Sequence, residues 1–538
     1  MCSGGNVKTL VCDGRGCNGR VSGHGFEPRQ VHFIKDLKPV SLTGFFSCFS
    51  ERIKRYKTML VKNESRANLF GSAKFYKGAL AIAVPIMIQQ LIQSMVSLVD
   101  NFMVSGLGDI CMSGVNVAGQ ILFIFMVYVN TICTSGGIFL TQFFGAKDKN
   151  GMQQAFRFKL VMGLAAAIPY FLVCVVFPNQ VLSLMLIGNS DKAMILVEGV
   201  KYIRIMFFVG IPMTISVCIA SSLRDMGEVK IPLVVTIIAT LTNTACNYLL
   251  IYGNLGFPKL GVEGAAIATV IARTLELVIF IIVYLKKKPD FAVKLKDFFR
   301  INGKLFKEML KKCAMVLFCE MVWIFSETIM TALYNGRGGA DVVSGMSSSF
   351  AIANLFFVAF GGIYSATGVI IGKSLGEGDL ERAKKEKTWL LAGAAVMGLV
   401  MVGVGFSTTL IVPVVFGKLS ASAIDICRWM VILMSFFMPV WVYMNAQQAI
   451  ARAGGDTGMG VYTDAILTIF VMIPMVFSLA IFTKIGPVMM YLVIKLLDIV
   501  KITIFHFWLK REIWLKNLTK EHEEANKHIT EEIGDVAD

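Results

Sequence analysis

Apolar stretches near or above the ~20 residues that cross a bilayer recur along almost the whole chain. Twelve can be separated, near 79–104, 115–141, 158–178, 201–222, 231–252, 264–285, 308–334, 345–372, 388–415, 427–450, 461–483 and 487–509. Their apolar positions do not alternate with period two, so strands are not expected and membrane helices are predicted. The pattern also repeats in register. Residues 113–145 lie without gaps on 344–376, with Gly137 over Gly368 and Gly145 over Gly376. Further on, SSLRDMG (221–227) parallels AIARAGG (449–455), which sets Arg224 with Arg452 and Gly227 with Gly455. Six spans per half is an even number, so both halves enter the membrane in the same orientation. They are then related by an axis along the membrane normal, with a cavity between them. The predicted fold class is all-α integral membrane, twelve transmembrane helices in two pseudo-symmetric six-helix lobes.

Polar positions inside the spans are ordered too. Projected at ~100° per residue, Gln89, Gln93, Ser97 and Asp100 share one side of the first span, with Gln90, Ser94 and Asn101 beside them. Thr236, Thr240, Asn243 and Asn247 form a matching stripe on the fifth. Lipid leaves such groups unsatisfied, so both stripes are expected to face the bundle interior or water. Helix-to-helix contact is the competing reading for any single Ser or Thr. Two aligned stripes, one ending in a carboxylate, favour a hydrated cavity. A carboxylate at the centre of a span costs ~2.5–3.5 kcal/mol on translocon scales, which makes Asp100 the first candidate for function. The alternative is a solvated cap near the surface. The seventh span sets Glu320, Trp323, Glu327, Thr331 and Tyr334 on one face, acids beside aromatics, which suits an apolar cation. Against this, Glu320 at interfacial depth would bind water. Asn445, Gln447 and Gln448 in the tenth span are candidate lining of the second lobe. Arg273 with Glu276, and Lys495 with Asp498, stand at i, i+3, where each pair is expected to neutralise itself.

Composition agrees with the pattern. The 538 residues are 55% hydrophobic and only 16% charged, with mean hydropathy +0.67; a soluble chain carries roughly a quarter charged residues. The net charge of +16 is placed as topology. Lys and Arg crowd into alternate loops, ERIKRYK before the first span, 286–304, and ERAKKEK at 381–387, while loops such as SGLGDICMSG are nearly free of them. That is the positive-inside signature. It argues against nucleic acid and predicts both termini in the cytoplasm. Cysteines inside spans, such as Cys133 and Cys218, read as small apolar residues. No phosphate-binding Gly-rich pattern occurs, and the five histidines lie in the termini or, for His506, near the last span's end. An enzyme is therefore not expected, nor any cofactor beyond a coupling ion.

The expected organisation is an N-terminal extension at 1–74, of which 1–58 is disordered, a first lobe at 75–285, a basic linker at 286–306, a second lobe at 307–510 and a tail at 511–538. Met59 stands where a more ordinary amino terminus for a membrane protein would begin.

The segments PIMIQQLIQSMVSLVDNFMVSGLG, TSGGIFLTQFFGAKD, SSLRDMGEVKIP, NTACNYLLIYGNLGFPKLGVEGAAIATVIART and SGMSSSFAIANLFFVAFGG, in that order, resemble the multidrug and toxic compound extrusion (MATE) family. The likeness covers roughly 75–510 and is nearest to the bacterial and archaeal branches. It implies a plasma-membrane antiporter, monomeric in the bilayer, that exports organic cations in exchange for H+ or Na+. Asp100 matches the family's ion-coupling aspartate, and Glu320 matches a seventh-helix acid found in parts of the family. Many members carry an acid one turn after a fifth-helix asparagine. Here Asn243 matches the asparagine, and Asn247 stands at the acidic position. One carboxylate with amide and hydroxyl oxygens, Asp100 with Asn243, Asn247 and Thr240, can still take Na+ or a proton.

Two other functions fit the same class of chain. A flippase for lipid-linked sugars or cell-wall precursors is expected to have a more cationic cavity. A receptor or scaffold has no use for two matched halves.

Overall fold

The computed structural model describes residues 69–186, 191–298, 300–416 and 419–519. The expectations for 1–58 and for the end of the tail lie outside the described residues. The membrane-spanning helices are α1 (Ala73–Ser105), α2 (Asp109–Gly145), α3 (Lys149–Val176), α4 (Lys192–Asp225), α5 (Lys230–Tyr252), α6 (Val262–Lys287), α7 (Gly303–Asn335), α8 (Ala340–Gly376), α9 (Leu380–Thr408), α10 (Ala421–Ala453) and α11 (Gly460–Phe482). The last, α12, is two pieces, Pro487–Lys495 and Leu497–Leu509. No strand occurs among the described residues.

Several helices run past the apolar stretches that predicted them. ERAKKEK, expected as a loop, is the start of α9. Asp379 caps that helix by accepting from the Arg382 amide at 3.0 Å, and Arg382 bonds Glu386 one turn on at 2.8 Å. Backbone hydrogen bonding does not stop at the edge of the hydrocarbon.

The repeat is built into the geometry. Helices α1 and α7 both have 33 residues, and α2 and α8 both have 37. Asp148 caps α3 on the Gly151 amide as Asp379 caps α9. Gly227 and Gly455 both take the left-handed conformation just past α4 and α10, with φ of 82° and 74°.

Two hydrophobic cores correspond to the lobes. Phe125, Phe139, Phe143 and Phe156 anchor the first; Phe356, Met438, Trp441 and Tyr491 anchor the second. The partition is not strictly sequential. Ala79 of α1 joins the second core, and Leu305, Met309 and Cys313 of α7 join the first. The chain after α12 crosses between them. Trp514 is buried in the second core and Leu518 in the first.

The lobes meet toward the end that carries the basic 286–304 loop. A Cβ on Gly145 would strike the Lys373 carbonyl, and one on Gly376 would strike the Gln142 carbonyl. Small residues thus let α2 and α8 cross with backbones touching. Gln142, fully buried, donates to the Ala453 carbonyl at 2.7 Å and accepts from the Leu518 amide at 2.8 Å. Tyr76 at the start of α1 donates to the Trp389 carbonyl at 2.9 Å. Toward the opposite end, Phe102 and Phe325 are exposed.

Candidate functional site

The polar stripes of α1 and α5 face each other. Gln89 donates to Thr236 Oγ1 at 2.8 Å, both side chains buried. Eleven residues further along α1, Asn247 donates to Asp100 Oδ1 at 2.8 Å. Asn243, with its amide nitrogen turned toward the acid, donates to Asp100 Oδ2 at 3.0 Å and Oδ1 at 3.1 Å. Tyr252 closes the seam by donating to the Met103 carbonyl at 2.7 Å. Asp100 is therefore part of a helix–helix seam, half-buried, and not a freely solvated cap. Its partners are neutral. Among the described residues no lysine or arginine forms an ion pair with it, and the buried Oδ1 of Asn247 has no hydrogen-bond partner.

The rest of the predicted set divides. Thr240 is half-buried on α5 and makes no hydrogen bond to Asp100. Gln93 and Ser97 are exposed on α1. Trp323 is half exposed. Asn445 is turned onto its own helix, donating to the Trp441 carbonyl at 2.9 Å. Gln448 makes a long contact to Asp464 at 3.5 Å.

The acids of α7 are not open to a guest as they stand. Glu320 is bound by Arg452 of α10 at 3.1 Å, and Glu327 by Lys495 of α12 at 3.0 Å. An acid in a span is tolerated when a cation from a neighbouring helix neutralises it. That also corrects one expected pair. Arg273 and Glu276 do bond within α6 at 2.7 Å. Lys495 instead turns to Glu327, and Asp498 accepts from Trp441 Nε1 at 2.8 Å.

Two buried pairs were not singled out in the sequence. Lys501 bonds Asp464 at 2.7 Å and Thr468 at 3.0 Å, both acceptors lying in π-helical turns of α11. Lys159, fully buried in α3, pairs with Asp225 at 2.5 Å and donates to Ser221 at 2.8 Å. Ionisable residues inside predicted spans are themselves a signal, and a search for basic as well as acidic ones finds both.

Comparison with known proteins agrees with the geometry. The MatE family model matches twice, at 85–249 and at 313–478, once in each lobe. An uncharacterised transporter, YisQ of Bacillus subtilis (strain 168), is 26% identical over 323 residues, 59% of this chain and 69% of the relative. A probable multidrug resistance protein NorM of Pasteurella multocida (strain Pm70) is 25% identical over 342 residues, 62% and 70% of the two chains. A crystal structure of MATE in the straight conformation superposes with a TM-score of 0.71 at 18% identity, covering 83% of this chain and 97% of that one. With one family match in each lobe, the chain belongs to the MatE family of multi-pass membrane transporters.

Proposed function

We propose that the protein is a cation-coupled antiporter, driven by H+ or Na+, that exports organic cations across the plasma membrane. The observation that carries this reading is the state of Asp100. Glu276, Glu320, Glu327 and Asp464 each have a lysine or arginine against them. Asp100 has only amides as hydrogen-bond partners, and the guanidinium that acts on it from α6, that of Arg273, is taken by Glu276. A carboxylate in a helix seam without a fixed counter-charge is costly, and a mobile cation can supply the missing charge. The neighbouring oxygens suit a hard ion such as Na+, and the acid equally takes a proton.

An ion that binds one conformation more tightly than the other biases the equilibrium between them, which couples its gradient to export. On this reading the basic end is cytoplasmic, with both termini there, and the lobe contacts close that side while the cleft faces out. The relatives named for multidrug resistance support drug-like cations as the substrates. The protein works as a monomer, since each chain holds both lobes.

Asp100→Asn keeps the shape and removes the charge. It is expected to reach the membrane at wild-type levels and to lose gradient-driven efflux of a cationic dye from energised vesicles. Wild-type efflux in the variant would refute the role of Asp100. Counterflow of labelled dye in proteoliposomes separates an exporter from a receptor or a lipid flippase, neither of which exchanges it.

A further inference from the structure

A cavity of about 280 Å³ lies between the lobes near the basic end, with Gln90, Asn130, Arg224, Asp225, Tyr364 and Arg452 on its wall. Its charges do not cancel. Asp225 is taken by Lys159. Arg452 is taken by Glu320 at 3.1 Å and by the Tyr364 hydroxyl at 3.2 Å. Glu276, a further acid acting on Arg224, is held by Arg273 at 2.7 Å. The Arg224 guanidinium makes no hydrogen bond and no ion pair among the described residues.

The repeat explains the imbalance. Arg224 is the counterpart of Arg452 in the parallel between SSLRDMG and AIARAGG. Glu320 and Gln90 occupy the same place along α7 and α1, helices of equal length. Tyr364 falls on Cys133 in the gapless match of α8 with α2. The second lobe therefore holds its arginine with an acid and a phenol. The first lobe keeps the arginine and replaces them with an amide and a thiol. The acid beside Arg224, Asp225, stands where the second lobe has Ala453 and is held by Lys159, so the guanidinium has no anion of its own, and the cavity lies open to it.

We propose that this cavity receives an anionic group of the transported molecule, a carboxylate or a phosphate, against Arg224. The planar guanidinium offers two parallel donors to either oxyanion. Gln90 and Asn130 add neutral polar atoms on the same wall. The inference rests on the exporter reading and narrows it. The protein takes zwitterionic guests, their positive part left to the rest of the cleft and their anion bound here.

The test uses the full chain in nanodiscs with a matched pair of probes, a zwitterionic rhodamine with a free carboxyl and its methyl ester, read by fluorescence polarisation. The wild type is expected to bind the acid about tenfold more tightly than the ester, a difference of about 1.4 kcal/mol. Arg224→Gln is expected to bring that ratio to about one with ester binding unchanged, and Arg224→Lys to keep most of it. Benzoate and phenyl phosphate as competitors tell carboxylate from phosphate recognition. Equal binding of acid and ester by the wild type would overturn the proposal, as would equal weakening of both probes by Arg224→Gln. Should Arg224→Gln not accumulate, the wild-type comparison decides. If neither probe binds, the exporter reading fails; if the ester binds as well as the acid, only the anion site does.

Discussion

Gln89 and Thr236 stand 147 residues apart, and so do Asp100 and Asn247, so both hydrogen bonds record one parallel register between α1 and α5. A shift of α1 against α5 would break the Asp100 contacts and the Gln89 contact together. Asp100 is thus tied to the packing of the first lobe.

Asn247→Ala removes the 2.8 Å donor and leaves Asn243 alone on the carboxylate. Hydrogen bonds to charged groups contribute about 1.5–3 kcal/mol. Gradient-driven efflux is expected to fall roughly tenfold or more, with membrane levels kept. Measuring initial efflux against ion concentration checks it; an unchanged half-saturating concentration would show that Asn247 does not help to hold the ion.

Gly376 and Gly368 provide a matched contrast within α8. A methyl on Gly376 meets the Gln142 backbone, while one on Gly368 meets nothing within 4 Å. Gly376→Ala is expected to lower the melting temperature of the purified protein by several degrees, a loss of roughly 1–3 kcal/mol from overpacking. Gly368→Ala is expected to leave it within about a degree. Equal effects would mean that the crossing of α2 and α8 is not tight in the membrane.

Arg452→Met leaves Glu320 without its cation in a half-buried place. Such unpairing is expected to cost roughly 1–3 kcal/mol, below the fully buried figure because water reaches the pair. Adding Glu320→Gln should restore part of the lost thermal stability. A double variant no more stable than the single one would show the pair to be worth little.

The membrane helices were legible because hydropathy is a local property, and the repeat because residues 113–145 and 344–376 match without gaps. The seam between α1 and α5 was legible as two stripes. What the sequence withheld was partner choice. Glu320 finds Arg452 at a separation of 132 residues, and Glu327 finds Lys495 at 168. Helical projection gives the face of an acid but not which helix covers it. Lys495 shows the limit, since its nearer candidate Asp498 is taken by Trp441. The break of α12 after Lys495 has no marker such as an internal proline.

The segment after α12 ties the lobes together. Trp514 is buried, its backbone carbonyl lies against Gly454, and the Leu518 amide is held by Gln142. Large-to-small changes of a buried tryptophan cost about 3–5 kcal/mol. Trp514→Ala is expected to loosen the basic end, read as faster hydrogen exchange at 140–146 and 450–456 and as slower efflux. Exchange confined to the segment itself would show that it lies on the lobes without holding them.

Leu518 also bears on how the protein is made. The first lobe's core is not finished by the first half of the chain. It needs Leu305, Met309 and Cys313 from the start of α7, and then Leu518, some two hundred residues later in translation. A nascent chain with six spans inserted still has an open core, and Gln142 still lacks the Leu518 amide it accepts from. The first lobe's core has all of its parts only once the second lobe has been made. Separately synthesised halves would then each be unfinished, and each would carry the piece the other lacks.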